Sequence, residues 1–362
     1  MGALAAIALA AATAASPAPP AATRLYRLLW TRQLVPRTLL EYRPSEPGGP
    51  AADPATGMVV AGTRDGWVHA FLPDGSRLWE FKAEGGFLAP PLITSDAVYA
   101  GSLDGRLYAR DKATGKERWQ YDAKEEIGAQ PVAAGGLIYV ATLQNTVLAL
   151  DARTGEWKWH HRREAADGFT IRGVAEPIVA DGVVYAAFSD GTVAALDARS
   201  GRLRWERRVA PKGDFRDVGG LALDQGRLYA AAYSGLVLAL NPANGNSVWE
   251  VKVPQASRVT AGNGWVTALT ADKVLALKGT DGKEMWSAPL PGGPAGIPMA
   301  LARRSLLLVP DTRGLLLMEG RTGRTLRNFT RGDGVSASPA VVGTRLYALT
   351  NGGELVAAEL FD

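Results

Sequence analysis

Residues 146–159 read Thr146-Val-Leu-Ala-Leu-Asp-Ala-Arg-Thr-Gly-Glu-Trp-Lys-Trp159. Apolar residues alternate through Thr146-Val-Leu-Ala-Leu150, the period of a short strand rather than a helix. Thr154-Gly155 marks a reversal, because Gly accepts the positive φ of a tight turn. Trp159 lies in the strand that follows. Working outward, the same text recurs along the chain. Trp30, Trp79, Trp119, Trp159, Trp205, Trp249 and Trp286 stand at spacings of 49, 40, 40, 46, 44 and 37 residues. Leu326 occupies the same context 40 residues after Trp286. Gly turns precede most of these positions, among them Asp74-Gly75, Thr114-Gly115, Ser200-Gly201, Asn244-Gly245, Asp281-Gly282 and Thr322-Gly323. Strands such as Thr192-Val-Ala-Ala-Leu196 and Lys273-Val-Leu-Ala-Leu277 precede the turns. Strands such as Val98-Tyr99, Val184-Tyr185 and Leu346-Tyr347 precede those in turn. A still earlier segment often carries Pro, as at Pro131, Pro177 and Pro339.

Each unit of about 40 residues therefore holds four short strands. Repeated four-stranded units of this length are β-propeller blades. One blade cannot bury both of its faces, so neighbours pack in a ring, and the recurring aromatic fills the gap between them. The strand count predicts an all-β, eight-bladed propeller. The last third strand, Glu354-Leu-Val-Ala-Ala358, has no fourth strand after it, whereas the segment around Trp30 has no strands before it. The N-terminal strand is expected to pair with the C-terminal blade and close the ring. Seven blades would leave strands unpaired, and exposed edges are costly.

Composition agrees with a globular chain. Of 362 residues, 47% are hydrophobic and 21% charged, with 42 Gly, 22 Pro and a net charge of +4. Disorder needs less apolar content and more net charge. There is no cysteine, which excludes disulfides, thiolate nucleophiles and Cys-based metal sites. Basic pairs such as Arg162-Arg163, Arg207-Arg208 and Arg303-Arg304 are dispersed and read as solvated loops, so no nucleic-acid partner is expected. Gly2 to Ala15 carry no charge and are mostly Ala, and Ser16-Pro-Ala-Pro-Pro20 follows. Residues 1–22 are expected to be a signal-like or disordered leader, too short in its apolar run to span a bilayer. Residues 23–362 are expected to form the single propeller.

No catalytic constellation emerges. Adjacent strand residues point to opposite faces, so His160 and His161 do not chelate one metal, and both read, with His69, as ordinary surface or edge histidines. Asp65-Gly66, Asp104-Gly105 and Asp190-Gly191 recur at one position of the repeat and read as hairpin turns. Arg331-Gly-Asp333 reads as a turn too. No motif surrounds a candidate nucleophilic serine.

The segment Leu148-Ala-Leu-Asp-Ala-Arg-Thr-Gly155, followed by Trp157-Lys-Trp159, resembles the pyrroloquinoline-quinone-type propeller repeat. The Trp-Asp dipeptide of WD40 repeats is missing. Two eight-bladed families share the resembled repeat: quinone-dependent alcohol and glucose dehydrogenases, and BamB, the propeller lipoprotein of the machinery that inserts β-barrels into the bacterial outer membrane. The dehydrogenases are longer, and many carry adjacent cysteines and a calcium held by Glu, Asn and Asp. The resemblance to BamB covers nearly the whole chain. It extends to two segments that in BamB touch the assembly partner BamA. Its Leu-x-Leu-Arg-Gly segment reads here Phe169-Thr-Ile171-Arg172-Gly173, and its Asp-Val-Asp segment reads Asp217-Val-Gly219. Phe169 keeps an apolar contact, Gly219 removes a charge, and the lipid-bearing Cys of BamB has no counterpart.

The resemblance implies a non-enzymatic periplasmic scaffold without cofactor. It would be soluble or held by an uncleaved signal, and would dock on the soluble domains of a BamA-type protein through Phe169, Ile171, Arg172 and Asp217. Unfolded outer-membrane proteins are a further partner class it implies. Read without the family, Phe169 and Ile171 face one way in an extended segment and form a small patch beside Arg172. The other reading makes both interblade core and pairs Arg172 with Asp217 or Glu176. Two functional alternatives stand beside the scaffold: a quinone-dependent dehydrogenase or quinone sensor, and a peptide- or polysaccharide-binding propeller.

Overall fold

Each repeat folds as four short antiparallel strands joined in chain order. The computed structural model describes residues 25–36, 45–164, 174–210, 217–293, 295, 299–301, 306–331 and 333–361. Its regular structure is strand alone, with no helix among the described residues and none long and apolar enough to cross a membrane. β1 (Tyr26–Gln33) opens the chain. Blade 1 holds β2 (Gly49–Ala52), β3 (Val59–Gly62), β4 (Trp67–Phe71) and β5 (Arg77–Lys82). Blade 2 holds β6 (Leu92–Ile93), β7 (Ala97–Gly101), β8 (Arg106–Asp111) and β9 (Glu117–Asp122). Blade 3 holds β10 (Val132–Ala134), β11 (Leu137–Ala141), β12 (Thr146–Asp151) and β13 (Trp157–Arg162). Blade 4 holds β14 (Ile178–Ala180), β15 (Val183–Ala187), β16 (Thr192–Asp197) and β17 (Leu203–Arg208). Blade 5 holds β18 (Val218–Asp224), β19 (Arg227–Ala232), β20 (Leu236–Leu240) and β21 (Ser247–Lys252). Blade 6 holds β22 (Arg258–Gly262), β23 (Trp265–Leu269), β24 (Lys273–Lys278) and β25 (Glu284–Pro289). Blade 7 holds β26 (Met299–Leu301), β27 (Leu306–Asp311), β28 (Gly314–Glu319) and β29 (Thr325–Phe329). Blade 8 holds β30 (Ala340–Val342), β31 (Arg345–Leu349) and β32 (Glu354–Leu360), and β1 pairs with β32 in register from Tyr26↔Leu360 to Gln33↔Glu354.

First strands touch first strands of neighbouring blades, which sets them around the axis and the fourth strands at the rim. One apolar cluster joins Val59, Ala61 and Phe71 of blade 1 to Tyr347, Leu349 and Leu355 of blade 8. Second and third strands are buried on both faces. Fourth strands alternate, with Trp159 inside and Lys158 and His160 outside. Burying an aromatic of this size is the main apolar gain at each junction.

The junction chemistry repeats as the sequence does. The indole N–H of each rim Trp donates to a carbonyl in the next blade's turn between third and fourth strands, termed here the outer turn. Trp79 reaches Lys112 at 2.8 Å, Trp159 reaches Ala198 at 3.0 Å and Trp286 reaches Gly320 at 2.9 Å. Tyr139 Oη donates to the same Ala198 carbonyl at 3.0 Å. The turn Gly lies flat on the indole. A Cβ on Gly155, whose φ is 73°, would meet Trp119 at 2.6 Å. Gly is thus required twice, by backbone conformation and by the ring beneath it.

Two expectations are corrected. His69 is not a surface residue: it is 5% exposed, on β4, with Nδ1 2.9 Å from Glu80. Its third-strand position faces the blade interior, and burial lowers its pKa despite Glu80. The arginine pairs at 162–163 and 207–208 belong to fourth strands or their ends rather than loops, and Arg163 is ion-paired with Asp190 at 2.8 Å and Glu206 at 2.6 Å. Residues 1–22, with the expected leader, and Arg303-Arg304 lie outside the described residues. The turn readings are met by positive φ at Gly66, Gly105, Gly191 and Asp333.

Candidate partner-binding site

Connections from each fourth strand to the next first strand lie at the end of the ring opposite the outer turns. The two resembled segments belong to the connections entering blades 4 and 5. Phe169, Ile171 and Arg172 lie outside the described residues. Residues on either side of them in the chain are described.

Asp217 ends the connection into blade 5. It is fully buried, and its backbone carbonyl accepts the Tyr233 N–H at 3.0 Å. Next to it β18 is bulged, its register against β19 shifting between Val218 and Gly220. The bulge presses Gly219 and Gly220 onto blade 6. A Cβ on Gly219 would stand 2.3 Å from the Ser257 carbonyl oxygen, and one on Gly220 would stand 2.8 Å from the Val259 nitrogen. The acid that the resembled segment carries at this place has no room without backbone movement. Arg258 of β22 takes over the locality: its Nη1 donates to the Gly219 carbonyl at 2.6 Å. Burial depresses the Arg258 pKa and pushes the Glu176 carboxyl up, while the opposite charge of each favours ionisation of the other. Glu176 lies in the connection into blade 4, between buried Ala175 and Pro177. Blade 6 thereby reaches both blade entries.

The turns between second and third strands lie at the same end of the ring as these entries. Asn145 takes φ 65° where blades 1, 2, 4, 5 and 8 have Gly, and its amide spans to blade 4, donating to Ser189 Oγ at 2.7 Å and accepting the Ser189 N–H at 3.0 Å. Arg163, clamped between Asp190 and Glu206, lies 5.7 Å from the Phe188 ring centroid. Val218 N–H donates to the Phe188 carbonyl at 3.4 Å, tying the entry of blade 5 to the turn between β15 and β16 of blade 4. Sequence reasoning missed Asn145, Arg163 and Arg258. Asn at the repeat's Gly position was the one legible signal.

A quinone site of the dehydrogenase kind needs a carboxylate and amide set for calcium. Among the described residues no three His, Asp or Glu side chains form a group able to hold a metal ion, and the adjacent cysteines are missing from the sequence. His160 is exposed and packs on Trp157, whereas His161 is half-buried against Phe188.

Strand order, blade number and repeat chemistry define the class: an eight-bladed β-propeller of pyrroloquinoline-quinone-type repeats. Residues 64–240 and 234–361 match the family described as outer membrane protein assembly factor BamB. The chain belongs to that family. No curated protein sequence matches it. Among solved structures, BamB from Moraxella catarrhalis superposes with a TM-score of 0.80 at 22% identity, over 92% of this chain and 100% of that one. The quinohemoprotein alcohol dehydrogenase from Comamonas testosteroni superposes with a TM-score of 0.73 at 16% identity, over 94% of this chain and 77% of that one. The computationally designed Ika8 protein gives 0.70 at 16% identity, over 89% and 98%. At these identities the superpositions show the fold.

Proposed function

We propose that the protein is a non-enzymatic periplasmic scaffold that assists insertion of β-barrel proteins into the outer membrane. It docks on the soluble domains of a BamA-type partner through the connections entering blades 4 and 5, with Phe169, Ile171 and Arg172 as contacts. Asp217, being buried, acts from beneath by fixing the start of β18. The observation that carries this reading is family membership across residues 64–361, joined to the convergence of the two blade entries on Arg258. An aromatic or aliphatic pair beside Arg is a favoured anchor composition, and loops held by a rigid ring present it at low entropic cost.

Co-purification with the soluble domains of the same organism's BamA-type protein tests it. Ile171→Asp and Arg172→Glu are expected to lower the affinity by at least about tenfold each, a hot-spot cost of roughly 1.4 kcal/mol or more. Unchanged binding by both variants contradicts the site, and no binding by the unaltered protein contradicts the function. Reduction of a redox dye by substrate after addition of quinone and calcium would instead establish a dehydrogenase.

A further inference from the structure

The two ends of the ring differ in chemistry. Seven large apolar side chains among the described residues are exposed, at 38–48%. Leu72 stands in the outer turn of blade 1. The others, Leu28, Leu78, Trp157, Leu203, Val248 and Met285, stand within the first three residues of a fourth strand. All seven therefore lie on the rim of one face, the face of the outer turns. Isolated exposed apolar residues are ordinary; their confinement to one rim is not.

The same turns carry a small excess of base. Across the seven outer turns, residues 71–76, 111–116, 151–156, 197–202, 241–246, 278–283 and 319–324, nine residues are Lys or Arg and seven are acidic. Lys116, Arg153, Arg199, Arg202, Lys283 and Arg321 are exposed and form no ion pair among the described residues. The acids are engaged. Asp74, Asp151 and Asp281 accept backbone N–H groups of their own turns at 2.8 Å, 2.9 Å and 3.1 Å, Glu319 accepts the Thr322 hydroxyl at 2.6 Å, and Asp111, Glu156 and Asp197 pair with Arg118, Lys158 and Arg204 of the fourth strands at 3.0 Å, 2.8 Å and 2.7 Å. A cavity of about 430 Å³ opens on this face between blades 1 and 2, with Met58, Leu72 and Leu78 as its apolar wall; the cations beside it are neutralised, Lys112 by Asp53 at 2.6 Å and Arg118 by Asp96 and Asp111 at 2.5 Å and 3.0 Å. At the opposite face the blade entries, residues 34–48, 83–91, 123–131, 163–177, 209–217, 253–257, 290–298 and 330–339, hold eleven acidic and eight basic residues, with Glu84, Glu126 and Glu164 exposed. Because β1 is a fourth strand, it too begins at the basic face.

We propose that the outer-turn face rests on an anionic phospholipid surface. Unpaired Lys and Arg of the outer turns meet the phosphates, and the apolar rim with Trp157 reaches the boundary between headgroups and acyl chains. Membrane attachment by one end leaves the acidic end, with the blade 4 and 5 entries, free for a protein partner. The inference is independent of which partner binds there.

Co-sedimentation of the full chain with vesicles tests it. Phosphatidylcholine vesicles are compared with vesicles to which phosphatidylglycerol has been added, at low and high salt. Binding is expected only with phosphatidylglycerol and is expected to weaken with salt. Arg199→Glu with Arg202→Glu is expected to reduce it by roughly fivefold or more per residue. Trp157→Ser with Leu203→Ser is expected to reduce it at both salt concentrations. Lys124→Glu, on the opposite face, is expected to bind as the unaltered protein does. The substituted side chains are exposed, and an unchanged melting temperature shows that each variant folds. The proposal is overturned by equal binding to both vesicle types, by no binding to either, or by an equal loss in Lys124→Glu. Binding that survives both rim variants would belong to another part of the chain and overturns it too.

Discussion

Glu46 is fully shielded from solvent at the entry to blade 1, its Oε1 2.6 Å from Arg64 Nε and its Oε2 accepting the Arg64 N–H at 3.0 Å. An ion pair of this geometry favours ionisation, yet burial outweighs it and lifts the pKa from 4.5 to about 7. The folded state therefore holds the proton more tightly than the unfolded chain. Its contribution to stability is fully present below pH 4.5 and is lost as the pH rises through 7. The loss is on the order of 3 kcal/mol for a shift of this size. Urea unfolding across that pH range is expected to show the decline, and Glu46→Gln is expected to flatten it; a parallel decline in both proteins contradicts the assignment. Glycines give a second contrast at this scale. Gly155 and Gly182 share φ 73°, but a Cβ at Gly155 strikes Trp119 whereas one at Gly182 meets nothing within 4 Å. Gly182→Ala is expected to cost about 1 kcal/mol for the backbone alone, and Gly155→Ala about 3 kcal/mol with the added overlap. Equal costs would mean that the indole yields freely.

At the scale of the strand and turn, the repeat was legible because one junction imposes the same demands many times over. The Trp needs a carbonyl, the carbonyl sits in a turn, and the turn needs Gly. The exception is as informative. Leu326 stands where Trp is expected, and it faces blade 8, whose outer turn is split between the end of β32 and the start of β1. With no closed turn there, an indole N–H has no equivalent carbonyl to reach, and Leu326 packs instead near Leu25 and Tyr26. Trp159→Ala is expected to lose about 3–5 kcal/mol of unfolding free energy. Leu326→Trp, although it restores the repeat, is expected to lose about 1–3 kcal/mol by overpacking. A stabilised Leu326→Trp would contradict this reading of the junction. His69 was misread for a related reason: periodicity says which positions alternate, but the burial of a third strand on both faces comes from the neighbouring blades, which local sequence does not display. The Gly219–Gly220 bulge and the reach of Arg258 depend on the approach of blade 6 to blade 5, a contact between residues nearly 40 apart.

Across the whole molecule, ring geometry gives the protein two dissimilar ends. One gathers acidic blade entries over Asn145, Arg163 and Arg258; the other gathers basic turns and an apolar rim. Neither grouping could be read along the chain, because each takes a few residues from several separate repeats. Charge totals hid it as well, since the net charge of +4 averages over both ends. The sequence did expose the segments 169–173 and 217–219, through their resemblance to the family rather than through any local chemistry.

Hydrogen–deuterium exchange on the full chain, with and without the soluble domains of the BamA-type partner, reads out the central claim directly. Peptides covering residues 169–173 and 217–220 are expected to slow on the order of tenfold on binding, with the outer turns unchanged. Protection confined to the outer turns, or no protection anywhere at saturating partner, would contradict it.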